Sequence, residues 1–380
     1  MASFFCLKQI LPYVVYQMLN KRNMAVAILY ICPELHSTKV AVGEDGKIVY
    51  QCEINHSEED FILFENNIEQ LPFRRDAVMS RLRKDGVNLK SIKFVAAEGG
   101  LLKPCKSGVY QIDKNMIGDL IDGIGGDDII NLGGMMAFTI ANSLNVKSFL
   151  VEPSSVDERS DIASFSPHVS LKRKSLFHAL HHKYLSRKYA ESVNKNYEDL
   201  NIIFCHVSER NVSVAAHKKG EIIDVNQAFA GYGPMGLREI GTLPNSNIVD
   251  MLFIKCYPKD EMLKLINTKG TFASYLGTTS LDEIAERFKN NDIKTKHIME
   301  AMAYQISKEI CSHYATLEGE IDAIILSGKI FSLNRFFKYI SKRIANIAPI
   351  KVYGDDYTFE AMIANVLQIV NKEMDLKYYD

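Results

Sequence analysis

The sequence lacks a strong charge of either sign. Its 380 residues contain 45 lysines and arginines against 46 aspartates and glutamates, which gives a formal net charge of -1. Such a chain has no bulk field to hold a polyanion, so we expect neither nucleic acid nor an anionic membrane as a partner. The cysteines number seven, and no two form a CxxC pair. Scattered cysteines in odd number fit a reducing compartment, and we expect a cytoplasmic protein.

Long apolar runs are also missing at the N-terminus. The first 23 residues, MASFFCLKQILPYVVYQMLNKRN, are interrupted by Lys8, Gln9 and Pro12 and show no positive n-region or A-x-A cleavage pattern. We interpret residues 1–23 as an extension ahead of the first domain, with an amphipathic partner-binding helix as the alternative. Met24 directly precedes a buried strand, AVAILYICP, and is a plausible start of translation.

Glycine is missing from one turn where it would be expected. The apolar segments NIIFCHV and VSVAAH flank the turn formed by Ser208, Glu209, Arg210 and Asn211, and together they predict a β-hairpin. In α/β proteins that bind phosphate, such a turn normally carries glycines so that backbone N–H groups surround the anion. Here side chains fill that space, and β-carbons disfavour the positive φ that the loop needs.

What is present indicates a large two-part α/β protein. Hydrophobic residues make up 47% of the chain, enough to bury the cores of two domains of ordinary size. Each half opens with antiparallel strands and continues into alternating strands and helices, with no low-complexity linker. This order predicts a duplicated α/β core with a cleft between domains at about 24–155 and 156–357.

Seven segments carry a resemblance to a known family: GGLLKP (99–104), NLGG (131–134), VDE (156–158), RKSLFHAL (173–180), AAHKKGEIIDVN (215–226), SYLGT (274–278) and EAMAYQISKEI (300–310). Through them the chain resembles the butyrate kinase branch of the acetate kinase family from about residue 25 to about residue 373. The resemblance implies the duplicated actin and hexokinase type of fold, with residues 156–357 on the nucleotide side and the last helix, 358–373, packing back on the first domain. It also implies phosphoryl transfer between Mg-ATP and butyrate or a similar short-chain carboxylate.

The chain departs from the family where the family holds phosphate. The family's first phosphate loop, Asn-Pro-Gly-Ser, corresponds to Cys32-Pro33-Glu34-Leu35. Its arginine before GGLL corresponds to Glu98, and its histidine before NLG to Asp128. The arginine of its Glu-Arg-Ser-Gly segment corresponds to Glu239, with Arg238 one residue early. Carboxylates at these positions would repel an anion, and the shifted guanidinium loses its bidentate fork.

The nucleotide loops are altered as well. The family's triple-glycine loop corresponds to the turn 208–211, and its Gly-Gly loop to the half-retained Ser327, Gly328 and Lys329. The aspartate of its DPxxVDE segment corresponds to Glu152, the one exchange that preserves the chemistry, so Glu152 and Arg238 remain the candidate catalytic residues. Its paired C-terminal glutamates align near Thr358 and Phe359, which leaves the metal ligands unidentified.

These departures favour an impaired or inactive relative, and two alternatives stay open. One is a working carboxylate kinase with a divergent site, in which Arg210 and Lys329 contact phosphates, although we expect both to be solvated turn residues. The other is a non-catalytic partner subunit of an active homologue. In either case we expect a homo-oligomer or a heteromer with a butyrate kinase homologue, formed through the EAMAYQISKEI helix.

Several histidines and one cysteine suggest other sites. His178 and His182 stand four residues apart on a predicted helix, a spacing that metal sites use, but no third ligand accompanies them and we expect core or interface histidines. We expect His206 and His217 to be strand histidines with their hydrogen bonds satisfied. Cys32 has only His36 nearby in sequence, so a buried neutral thiol is favoured over a nucleophile.

Overall fold

The computed structural model describes residues 26–61 and 64–380. The predicted extension 1–23, and the partner-binding helix that was the alternative for it, lie outside the described residues. Within the described part of the chain, no helix is long and apolar enough to cross a membrane.

The first mixed sheet has six strands in the order β3-β2-β1-β4-β6-β5. The opening strands β1, β2 and β3 pair antiparallel, which confirms the antiparallel opening predicted for the first half, while β1, β4 and β6 are parallel neighbours. The strands are β1 (Ala27–Pro33), β2 (Ser37–Glu44), β3 (Lys47–Asn55), β4 (Ile92–Glu98), β5 (Val109–Gln111) and β6 (Lys147–Val151).

The second sheet repeats this plan with five strands in the order β11-β10-β7-β8-β9. The hairpins β7-β8-β9 are antiparallel, and β7, β10 and β11 are parallel, so β7 and β10 stand where β1 and β4 stand in the first sheet. The strands are β7 (Asn201–Val207), β8 (Val212–Lys218), β9 (Glu221–Val225), β10 (Ala323–Ser327) and β11 (Ile350–Tyr353). The repeated plan confirms the predicted duplication of an α/β core.

Helices pack on the sheets, and the strands that they cover are rich in buried apolar residues. All seven residues of β1, AILYICP, are buried, as expected of a central strand covered on both faces. In the edge strand β3, exposed residues alternate with half-buried ones. The helices are α1 (Glu58–Phe61), α2 (Gln70–Lys84), α3 (Lys114–Asp122), α4 (Asn131–Leu144), α5 (Asp161–Ser164), α6 (Ala179–Ser192), α7 (Asn245–Phe253), α8 (Lys259–Thr268), α9 (Thr271–Leu276), α10 (Leu281–Lys289), α11 (Ile293–Thr316), α12 (Asn334–Ile344) and α13 (Thr358–Val370).

The last helix, α13, packs on the first sheet, where Phe359 and Met362 join a buried cluster with Ile28 and Tyr30. We call the first sheet with the helices packed on it, α13 included, the first lobe, and the second sheet with its helices the second lobe. Helix α6 contacts both α13 and β7. The C-terminal ends of the parallel strands of both sheets therefore approach each other, as at the ligand-binding edge of other open α/β sheets.

Candidate active site

The site residues predicted from the sequence lie at those strand ends. Cys32 is the next-to-last residue of β1, Glu98 closes β4 and Glu152 follows β6. In the second lobe, the turn 208–211 joins β7 to β8, and Ser327 closes β10. Side chains separated by hundreds of residues are thereby brought to one cleft between the lobes.

An ion triad joins Arg210 to the two carboxylates that stand at the family's histidine and arginine positions. The Arg210 guanidinium donates to Asp128 at 2.7 Å and lies 3.3 Å from Glu239. The three side chains are only 13%, 8% and 5% exposed. The expectation that Arg210 is a solvated turn residue is therefore wrong, because two buried carboxylates from distant segments hold its guanidinium.

Glu239 is fixed by further donors. The Asn211 side-chain amide donates to one carboxylate oxygen at 2.9 Å, and the backbone N–H of Ala230 donates to the other at 3.2 Å. Burial raises the pKa of Glu239 to about 7, although Arg210 opposes that rise. The neighbouring Arg238 is half-buried, and its backbone N–H donates to the Arg210 carbonyl, which ties the two loops together.

Glu98 faces a thiol and an imidazole rather than a cation of the arginine type. The Cys32 thiol donates to Glu98 Oε2 at 3.4 Å, and His181 Nδ1 lies 3.7 Å from Oε1. Burial and the nearby Glu98 carboxylate raise the pKa of Cys32 well above its usual value. The buried neutral thiol expected for Cys32 is confirmed. His181 escaped the sequence analysis because its neighbours on α6 gave no sign of which face turns to the cleft.

Glu34 belongs to a second ion cluster that the sequence analysis missed. Lys39 Nζ contacts the Glu34 carboxylate and donates to Asp356 at 2.9 Å. Burial raises the pKa of Glu34 to about 7, and the exposed carboxylate of Glu209 adds to that rise. Although burial alone would lower the pKa of Lys39, the two carboxylates outweigh it and raise that pKa. The positive charge of Lys39 is thus already balanced by carboxylates of the protein.

Glu152 is turned into the first lobe. Its carboxylate accepts from Ser107 Oγ and from the backbone N–H of Gly108, each at 3.0 Å, and its side chain is fully buried, with Arg187 at 3.9 Å. The residue has φ 45°, a left-handed conformation that is uncommon outside glycine. Its oxygens are occupied by local donors, which limits what they can offer a metal ion or a substrate.

The two loops at the family's nucleotide-binding positions differ from each other. In the turn 208–211, the backbone N–H groups of Arg210 and Asn211 donate to Ser208 Oγ at 3.1 and 3.0 Å, so a side chain has taken the amides that a phosphate would use. In the loop after β10, Lys329 is half-exposed and lies 3.9 Å from Glu209. The solvated position expected for Lys329 is confirmed.

The histidines form a buried hydrogen-bonded group. His178 Nδ1 and His182 Nε2 both lie within 2.9 Å of Ser213 Oγ, and His217 bonds Tyr197 at 2.8 Å. His206 bonds Ser327 at 3.1 Å and its ring stacks on His181 with centroids 4.2 Å apart. The expected core positions of these histidines are confirmed.

The fit of the cleft to Mg-ATP, the cofactor implied by the resemblance, is poor. Four carboxylates, those of Glu34, Glu98, Asp128 and Glu239, stand where phosphate-binding groups are expected, and the cations beside them are already paired. Across residues 26–61 and 64–380, no group of three or more histidine, cysteine, aspartate or glutamate side chains is arranged to hold a metal ion. The residues present do not suit the polyphosphate of a nucleotide held in the family's manner.

Comparison with known proteins assigns the family. Residues 165–344 match the acetokinase family. The chain is 38% identical over 356 residues to butyrate kinase 2 of Clostridium acetobutylicum, covering 94% of this chain and all of that protein. Its fold is similar to that of Porphyromonas gingivalis acetate kinase (TM-score 0.72, 16% identity, 91% of this chain and 100% of that one). It is also similar to that of a propionate kinase from Francisella tularensis (TM-score 0.70, 13% identity, 90% and 99%). These findings confirm the resemblance and the fold class predicted from it, and the chain belongs to the acetokinase family, on its butyrate kinase branch.

Proposed function

We propose that this protein is a butyrate-kinase-like member of the family that performs little or no phosphoryl transfer. The observation that carries the proposal is the ion triad of Asp128, Arg210 and Glu239. Phosphoryl transfer depends on cations and amides that neutralise charge spreading over the transferred group. Here the guanidinium is neutralised by the protein's own carboxylates, and three positions that are cationic or imidazole in the family carry acids.

The magnitude of the electrostatic effect supports a nearly complete loss of phosphoryl transfer rather than a small reduction of its rate. Two like charges about 4 Å apart repel by about 4 kcal/mol at an effective dielectric constant of ~20, which corresponds to roughly a thousandfold in rate. Loss of a single preorganised donor costs about 10²–10³ on its own. The losses do not add fully, because groups of one site act as a unit. Two such losses would nevertheless bring a turnover of roughly 1–100 s⁻¹ down to about 10⁻⁶–10⁻² s⁻¹, near the limit of a routine assay.

The test is an acyl phosphate assay on the purified protein. Incubated with Mg-ATP and butyrate, acetate or propionate, and trapped with hydroxylamine, the wild type should form little acyl phosphate above a no-enzyme blank. The Clostridium acetobutylicum butyrate kinase, run in parallel, calibrates the assay. Robust turnover by the unmodified protein would sink the proposal and favour the working carboxylate kinase, with Arg210, Arg238 and Lys329 as the first residues to suspect.

A gain-of-function variant tests the physical reason. Combining Glu98→Arg, Asp128→His, Arg210→Gly and Glu239→Arg removes the triad and restores the family's cationic residues, and it should raise the rate. The matched control is Glu53→Arg on the exposed edge of β3, which adds the same charge outside the cleft and should change nothing. A folded quadruple variant without any gain would mean that other features limit turnover.

We further propose that the protein acts in an oligomer, either with itself or as a non-catalytic subunit beside an active homologue. The support is the outer face of α11, the helix that contains the EAMAYQISKEI segment. Tyr304 and Tyr314 on this helix are 50% and 48% exposed, and tyrosine is enriched at protein–protein interfaces relative to the rest of the surface. If any activity remains, we expect Mg-ATP and a short-chain carboxylate as its ligands, in the cytoplasm.

A further inference from the structure

The ion triad also links the two lobes mechanically. Asp128 lies three residues before α4 in the first lobe, whereas Arg210 and Glu239 both belong to the second. A second contact lies beside it, where Lys174 Nζ donates to the carbonyl oxygen of Gly125 at 3.2 Å. Two contacts from the second lobe therefore meet one short segment of the first lobe, residues 125–128.

Burial makes this link strong where the two lobes are in contact. The Arg210–Asp128 pair is almost entirely removed from water, so salt screens it much less than a surface pair. The two carboxylates raise the pKa of Arg210 although burial alone would lower it. Separation of the lobes would break the Asp128 contact but leave Arg210 with Glu239. Opening would therefore cost at least this buried ion pair, in addition to the Lys174–Gly125 hydrogen bond.

In enzymes that close around a substrate, the ligand commonly supplies the contacts that hold the closed state. Here the Asp128 carboxylate gives Arg210 the charge-assisted hydrogen bond that an anionic ligand oxygen would otherwise give it. We propose that Asp128, Arg210 and Glu239 form an internal latch that holds the lobes closed without a ligand. This goes beyond the proposed loss of turnover, because an inactive cleft could equally stand open.

The latch is tested by hydrogen exchange and solution scattering on the full-length protein. Asp128→Asn removes the charge that reaches across the cleft and nearly preserves the shape of the side chain. We expect exchange at residues 99–104 and 208–213 to accelerate by roughly tenfold or more, since breaking one partner of a buried pair shifts an equilibrium by at least that factor. The radius of gyration should rise, while the core strands β1 and β10 stay protected.

The matched control is Asp224→Asn, which removes the Arg173–Asp224 pair. That pair has the same chemistry and a length of 2.9 Å, but both members lie in the second lobe. It should leave residues 99–104 and the radius of gyration unchanged. An equal response to both variants would overturn the latch, because the effect would then reflect general destabilisation.

A second variant keeps the test decisive if Asp128→Asn folds poorly. The triple change Asp128→Asn, Arg210→Met and Glu239→Gln removes every charge of the triad at similar volume, a replacement that buried ion groups often tolerate. It should also open the cleft. The latch would be refuted if the triple variant is folded, exchanges at 99–104 like the wild type and keeps the wild-type radius of gyration. This holds whatever the acyl phosphate assay shows.

Discussion

Gly328 marks a position where one hydrogen atom in place of a side chain decides the local geometry. Its φ of 122° and ψ of 151° fall in a region that is essentially restricted to glycine, and a Cβ there would lie 2.1 Å from the carbonyl oxygen of Val207. We expect Gly328→Ala to cost more than the roughly 1–3 kcal/mol typical of such a conformation, because the obstacle is backbone. Urea unfolding of the variant measures this cost.

Gly277→Ala is the matched control at the residue scale. Gly277 also has a positive φ, 71°, but its Cβ would meet nothing within 4 Å. Gly277→Ala should therefore lower the free energy of unfolding only by the conformational penalty, about 1–2 kcal/mol. Equal losses for the two variants would show that the close approach of β7 and β10 does not constrain Gly328. The glycine kept here from the family's nucleotide loop thus has a structural reason that is independent of ATP.

At the scale of elements, α11 offers the face on which the oligomer proposal depends. Its inner side is buried through residues such as Met302, Ile306 and Ile310, whereas Tyr304 points outward with Arg343 5.8 Å from its ring. If this face joins a second chain, Tyr304→Glu places a charge in an apolar contact and should shift the protein toward the 43.0 kDa monomer. Light scattering coupled to gel filtration measures the mass.

Tyr378→Glu is the control for that substitution, because Tyr378 is 65% exposed and lies beyond α13, away from α11. It should leave the mass unchanged. The same measurement on a mixture with a butyrate kinase homologue distinguishes a homo-oligomer from a heteromer. A wild type that is monomeric both alone and in the mixture would exclude the oligomer proposal.

At the scale of the whole molecule, the buried histidines should make stability depend on pH. Burial lowers the pKa of six of them from 6.5: His56, His178, His182, His206, His217 and His313. The unfolded chain then binds more protons than the folded chain below pH 6.5, so this stability is present above pH 6.5 and is lost as pH falls. Three carboxyl groups with raised pKa values act oppositely: Glu34 and Glu239, with pKa values of about 7, and Glu309. Their contribution to stability is lost as pH rises above 4.5.

The six histidines outnumber the three opposing glutamates, so the free energy of unfolding should fall between pH 6.5 and 5. Urea titrations at several pH values measure the slope. His217→Gln should reduce it by about 1.4 kcal/mol per pH unit, the contribution of one proton, whatever its effect on stability at pH 7.5. His168→Gln, at an exposed position, should leave the slope unchanged. A protein that becomes more stable on acidification through this range would contradict the prediction.

The candidate site could be predicted only in part from the sequence. The positions Glu34, Glu98, Asp128 and Glu239 follow from comparison with the family's motifs, and the structure brings them to one cleft. Their partners do not follow from sequence: Arg210 lies 82 residues from Asp128, and Lys39 lies 317 residues from Asp356. No local pattern encodes such pairs, because they exist only once two sheets have been placed against each other.

The sequence by itself determined the strands of the two sheets, because local composition predicts how deeply a strand is buried. The uninterrupted apolar run of β1 and the alternation in β3 depend only on neighbouring residues. Through the resemblance to the family, the sequence also predicted acidic side chains at the positions that correspond to the family's phosphate-binding residues. Whether those acids are free or paired was decided by tertiary structure alone. Arg210 is an arginine in a turn, a position that predicts a solvent-exposed side chain. Its side chain is nevertheless buried, because distant segments supply the two carboxylates that make its burial favourable.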